Sequence, residues 1–163
     1  MRHTIVFAAA AAALAVATPG HAQDMNAEKQ AVIATVQKMW DGMRTRDTTL
    51  LKSLFVEDVR LLRVGRNRQT GEEIVQATPI TGFIRSVGSS TGPLLIERMF
   101  DPVVQVSGNA AQLWTEYDFH LGSEFSHCGI DAFTLLKVKG EWKIVSVADT
   151  SQREDCPKRE PPK

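Results

Sequence analysis

The chain has 163 residues, 43% of them hydrophobic, with 19 basic and 19 acidic side chains that leave no net charge. That length holds about one ordinary domain with a real core, and the charge balance gives no global field to draw in nucleic acid or an anionic membrane surface. No P-loop, dinucleotide fingerprint, HExxH or paired CxxC occurs, so no cofactor is called for by motif.

The N-terminus opens on the cationic Met1-Arg2-His3, followed by an apolar run from Ile5 to Val16 and small residues up to Ala22. This three-part pattern reads as a secretory signal peptide over residues 1–22, cut after Ala22. The apolar run is shorter than the roughly 20 residues a membrane span needs. The mature domain is then residues 23–155, periplasmic or secreted, with no membrane attachment after cleavage.

From Gln23 to Arg46 the apolar residues Val32, Val36, Met39 and Met43 recur at helical spacing, with Ile33 and Trp40 widening the stripe and Asn26 as a candidate N-cap. Asp47 is placed to cap a short second helix carrying Leu50, Leu51, Leu54 and Phe55. Val59 to Val64 reads as a strand, with Arg60, Arg63, Arg66 and Arg68 as a charged strand edge; an anion site is the alternative. Gly65 to Thr70 reads as a loop, and Glu72 to Gln76 fits more than one element. Pro79 starts a third helix, Ile80 to Val87. After a glycine- and serine-rich loop, Leu94 to Val106 forms a strand that must bend or bulge at Asp101-Pro102, since proline cannot join a continuous ladder. A three-strand meander follows, with turns at Gly122-Ser123 and Lys139-Gly140. The residues from 156 to 163 lack apolar side chains to bury and are expected to be a disordered tail.

Cys128 and Cys156 are the only cysteines. Export places them in an oxidising compartment, and the second turn sets Cys128 opposite Ser151, a few residues from Cys156. An intramolecular disulfide is expected; two free thiols or an intermolecular pair are the alternatives.

Helix, helix, strand, helix and four antiparallel strands give an α+β fold, a cone-shaped curved antiparallel sheet with about three N-terminal helices on its concave face. Three stretches carry a family likeness. They are Arg46-Asp-Thr-Thr-Leu-Leu-Lys-Ser-Leu-Phe-Val-Glu-Asp-Val, Thr81-Gly-Phe-Ile and Gly140-Glu-Trp-Lys-Ile-Val-Ser-Val-Ala-Asp-Thr. Through them the chain resembles the nuclear transport factor 2-like superfamily, which includes ketosteroid isomerase, scytalone dehydratase and SnoaL-like cyclases. Phe125-Ser-His-Cys-Gly-Ile-Asp-Ala-Phe likens it to an exported bacterial branch of unassigned function. This scaffold hosts many activities, so the resemblance speaks to fold before chemistry.

Turn register then sorts the meander into two faces. With Gly122-Ser123 at the tip, Asp118 faces His127 and Trp114 faces Asp131, and one side gathers Trp114, Glu116, Asp118, His127, Asp131, Phe133, Ser146, Ile144 and Trp142. The superfamily resemblance implies that this side lines the cone, leaving Tyr117, Ile130 and Val145 near the centre of a homodimer face. His127 with Asp118 is the candidate acid–base pair, the carboxylate holding the imidazole tautomer; a hydrogen bond that only orders the hairpin is the other reading. Asp131 is either a desolvated catalytic carboxyl or a buried structural one. Trp40, Phe83, Trp114, Phe133 and Ser146 are candidate ligand contacts. No metal site is expected, because Asp118-x-His120 supplies no closed ligand set. The expected function is binding of a small apolar or aromatic molecule, or scaffolding. The alternative is a cofactor-independent isomerase, dehydratase or cyclase using His127 or Asp131.

Overall fold

A computed structural model describes residues 19–67 and 69–162. The segment read as a signal peptide therefore lies mostly outside the described residues. The elements in chain order are α1 (Pro19–Thr45), α2 (Thr48–Leu54), β1 (Arg60–Arg66), β2 (Glu73–Pro79), α3 (Ile80–Ser89), β3 (Leu95–Ser107), β4 (Ala110–Leu121), β5 (Glu124–Val138) and β6 (Glu141–Asp149). The fold is α+β: three helices on a curved, unclosed six-stranded sheet of order β2-β1-β6-β5-β4-β3.

The amphipathic stripe of α1 behaves as its spacing demands. Val32, Val36, Met39, Trp40 and Met43 are all buried, mainly against β3. Burying side chains of this size is worth roughly 2 kcal/mol each relative to exposure. The helix continues N-terminally to Pro19, through the expected cut after Ala22, so Asn26 sits inside it and does not cap it. Glu28 bolts α1 to the far end of the sheet, accepting from Lys137 Nζ at 2.5 Å and Trp142 Nε1 at 2.9 Å. Asp47 caps α2 by accepting from the backbone N–H of Thr49 and Leu50.

The sheet is mixed where an all-antiparallel one was expected. Glu73–Pro79, ambiguous as sequence, forms a hairpin with β1, and β1 then pairs parallel to β6 through Leu61–Val147 and Arg63–Asp149. The bulge required by Pro102 is present: the β3–β4 register shifts between Phe100 and Val103, with Asp101 at φ 49°. Two further shifts were not foreseen. Ser126 is an extra residue on β5, so His127 pairs with Phe119 and Asp131 with Thr115. Val145 is an extra residue on β6, so Ile144 and Val147 both face the helices. Because side chains alternate with period two, each extra residue reverses faces along one strand relative to its neighbour.

Gly129 is fixed by close approach. A Cβ there would lie 2.0 Å from the Thr150 carbonyl oxygen and 2.9 Å from Tyr117 Cε1. Cys128 pairs with Gln152 through two backbone hydrogen bonds, one residue beyond the expected Ser151, and is disulfide-bonded to Cys156 with Cα atoms 5.9 Å apart. The residues beyond Cys156 run without regular secondary structure along the outer face. Arg159 stacks 3.6 Å over the Phe100 ring and bonds Glu116, and the Glu160 carbonyl accepts from Arg98 Nη1 at 2.8 Å.

Cys156→Ser removes a cross-link spanning 28 residues of sequence. Urea denaturation of the oxidised protein and the variant is expected to show a loss of roughly 3 kcal/mol, and equal midpoints would mean that the bridge does not constrain the unfolded chain.

Candidate functional site

A cavity of about 390 Å³ lies between the helices and the concave side of the sheet. Its apolar wall includes Met39 and Met43 from α1, Phe83 from α3, Phe119 from β4 and Phe133 from β5. Its polar wall is made by Glu97, Asp131, Arg63, Asp149, Tyr117 and His127. Polar groups set among aromatic and thioether side chains in a concavity of this size are the usual make-up of a small-molecule site.

Glu97 and Asp131 meet in the cavity wall through a side-chain hydrogen bond. Two carboxyls can share such a bond only if one carries a proton. Burial, then the charge of Asp131, raises the Glu97 pKa well above the ordinary carboxyl range. Burial also pushes Asp131 up to about 7, with the nearby Asp149 adding to the rise and Glu97 and Arg63 opposing it. Asp131 is 3% exposed, and its Oδ2 has no hydrogen-bond partner in the protein. The shared proton is held between the two carboxyls, and Asp131 Oδ2 is left as an acceptor without a partner.

At the mouth, Arg63 donates to Asp149 through both Nε and Nη2. The parallel β1–β6 pairing sets these two residues in register. Tyr117 donates its hydroxyl to the Thr150 carbonyl at 2.7 Å, and burial raises its pKa, so it stays a neutral donor. His127 packs its ring against Phe119 and Tyr117 at centroid distances of 5.0 and 5.7 Å. Burial and the Arg63 charge lower its pKa, which keeps the imidazole neutral at pH 7.

The candidates named from sequence divide between the two faces. His127, Asp131, Phe83 and Phe133 line the cavity. Asp118 does not meet His127. It lies on the outer face, where Arg98 grips it with hydrogen bonds of 2.8 and 2.6 Å. The extra residue Ser126 is the cause, since it sets Phe119 opposite His127. Trp114 and Ser146 are displaced in the same way: Trp114 is 56% exposed outside the cone, and Ser146 pairs with Thr134 beyond the Val145 bulge. Trp40 is buried behind the cavity and walls a separate groove between α1 and β3. Tyr117, assigned to a dimer face, points inward instead. Glu97 and Asp149 are not among the candidates, and Arg63 reads in the sequence as part of a charged strand edge. The signal for Glu97 was an isolated acid in the run Leu94-Leu-Ile-Glu-Arg-Met-Phe. Among the described residues, no group of three or more His, Cys, Asp or Glu side chains is placed to hold a metal ion.

Residues 27–148 match a family model, Lumazine_bd_2, described as "Putative lumazine-binding". No curated protein matches the chain. Among solved structures, an NTF2-like protein of unknown function from Shewanella baltica is 21% identical, with a TM-score of 0.59 over 79% of this chain and 97% of that one. An NTF2-like protein with a cystatin-like fold from Novosphingobium aromaticivorans is 13% identical, with a TM-score of 0.65 over 88% and 94%. A protein from Streptomyces avermitilis described as a "putative dehydratase" is 13% identical, with a TM-score of 0.59 over 78% and 98%. At these identities the likeness shows the fold.

The raised Asp131 pKa has a signed consequence. A carboxyl that binds its proton more tightly folded than unfolded favours folding at low pH and loses that contribution as pH rises from 3.8 to about 7. Asp131→Asn should therefore flatten the fall in melting temperature across that window and stabilise the protein above it by about 1–3 kcal/mol. Thermal unfolding of both proteins at a series of pH values checks this, and parallel curves would mean that the carboxyl titrates normally.

Proposed function

The chain belongs to the Lumazine_bd_2 family, of the nuclear transport factor 2-like superfamily, and on that premise we propose that it binds a small planar heteroaromatic molecule inside the cone. The observation that carries the reading is the Glu97–Asp131 pair in the wall of an aromatic-lined cavity. With the pair's proton held between the two carboxyls, Asp131 Oδ2 is a buried acceptor for a ring N–H. Lumazine, a fused two-ring pteridine dione, carries such N–H groups. Phe83, Phe119 and Phe133 supply apolar surface for its ring faces, and the Arg63–Asp149 pair supplies polar contacts at the mouth. Without a ligand, Asp131 Oδ2 is left buried with no partner, which costs about 1–3 kcal/mol.

A second reading, a cofactor-independent isomerase or dehydratase, is favoured by one observation. A neutral imidazole at His127 and a carboxyl at Asp131 that is half-ionised near pH 7 line one cavity, and groups so poised exchange protons with a substrate at little cost. They would act on separate atoms, since four residues of strand put them roughly 13 Å apart along the backbone.

Fluorescence titration with lumazine distinguishes these ideas from an empty cone. Saturable binding is expected, weakened about tenfold or more by Asp131→Leu and by Phe133→Ala. No saturable binding, or equal affinity in both variants, would sink the reading. If the protein is an enzyme, Asp131→Asn should abolish turnover of the bound compound while leaving its affinity within a few-fold.

We also infer that the protein is exported and dimeric. The disulfide fits an oxidising compartment. On the outer sheet face, Trp114 and Val103 are 56% and 59% exposed beside the half-buried Ile130, which suits a self-complementary contact. Native mass spectrometry of the expressed protein should show a dimer of chains that begin at Gln23. A monomer, or chains retaining Met1, would each refute one half of the inference.

A further inference from the structure

The outer face carries a second cavity that the cone does not explain. It also measures about 390 Å³, and lies between the β4–β5 hairpin and the C-terminal segment. The hairpin supplies Asp118, His120 and Phe125, and the roof supplies Arg153 and Lys158. The roof is held at several points: the Cys128–Cys156 disulfide, the Arg159–Glu116 pair, and the Arg98 hydrogen bond to the Glu160 carbonyl.

At the floor, His120 is 3% exposed, and its Nδ1 has no hydrogen-bond partner. The other ring nitrogen, Nε2, lies 3.4 Å from Arg98 Nη2 and 3.5 Å from Asp118 Oδ2. Arginine can only donate, so in the closer contact Nε2 accepts and the imidazole proton sits on Nδ1. A buried N–H without an acceptor is costly, and its simplest remedy is an acceptor from outside the chain. Charge points the same way. Asp118 is neutralised by its two-point grip from Arg98, and Arg159 is spent on Glu116. Arg153 and Lys158 have no ion-pair partner among the described residues, and Asp155, the remaining acid of the lining, offsets only one of them. The Phe125 ring stands edge-on to His120 at 5.6 Å, an apolar wall beside the donor.

We propose that this roofed cavity is a second small-molecule site, which takes a small aromatic carboxylate. The carboxylate accepts from His120 Nδ1–H and faces the Lys158 and Arg153 cations, and its ring lies along Phe125 and the prolines of the roof. The site depends on the disulfide, because Cys156 anchors the segment that carries Lys158. It is independent of the cone reading, since it shares no lining residue with the cone cavity.

Isothermal titration of the oxidised protein with benzoate tests the proposal. Saturable binding is expected, weakened about tenfold or more by Lys158→Glu, by His120→Phe and by Cys156→Ser, and unchanged by Asp131→Asn in the cone. Lys158 is exposed, so its variant decides the matter even if His120→Phe does not fold. The proposal is overturned if no saturable binding occurs up to about 10 mM benzoate, or if Lys158→Glu leaves it intact. Loss in Asp131→Asn alone would place benzoate in the cone and overturn it equally.

Discussion

One extra residue on β5, Ser126, sets the composition of both faces of this sheet. Strand side chains alternate with period two, so the insertion decides which half of β4 shares a face with His127 and Asp131. With Ser126 in place, Leu113, Thr115, Tyr117 and Phe119 turn toward the helices, and Trp114, Glu116, Asp118 and His120 turn away. The same step brings Gly129 opposite Tyr117, where the absent side chain lets the tyrosine hydroxyl reach the Thr150 carbonyl. The second extra residue, Val145 on β6, moves Cys128 from opposite Ser151 to opposite Gln152, which is what allows Cys156 to tether the C-terminal segment. Cone chemistry and outer-face covering thus follow from two local irregularities.

The electrostatic design of the cone runs against stability. Glu97, Asp131 and Asp149 crowd one cavity with a single arginine, Arg63, to balance them. Arg63 is committed to Asp149, so the Glu97–Asp131 pair resolves its repulsion by retaining a proton. Apolar residues of similar volume would fill that part of the wall at lower cost, as buried ionic groups commonly contribute little net stability. Perturbed carboxyls kept in a cleft at such a cost are a mark of sites that handle ligands.

Local signals were legible in the sequence and long-range ones were not. The Val32, Val36, Met39 and Met43 stripe, the Asp47 cap, the Asp101-Pro102 bulge and both meander turns are written in residues close together, and each appears where its chemistry places it. The β2 hairpin and the parallel β1–β6 pairing depend on partners far along the chain, so no window of sequence displays them. The bulges at Ser126 and Val145 carry no glycine or proline to announce them, and they alone moved Asp118, Trp114, Ser146 and Tyr117 across the sheet. His127, Asp131 and Phe133 reached the cavity because they share one strand on the far side of the insertion. Glu97 stood in plain view as a lone acid in an apolar run; its meaning needed a neighbour from another strand.

The parallel contact between β1 and β6 also has a bearing on the order of assembly. Arg63 and Asp149 are 86 residues apart, and the strand that carries Asp149 is the last to be synthesised. The meander can form from neighbouring segments, whereas β1 and its hairpin partner have no sheet to join until β6 has emerged. Closing that long loop is entropically the slowest kind of pairing. The mouth of the cone is consequently the final part of the wall to exist, and a nascent chain holds an open trough where the finished protein holds a walled cavity.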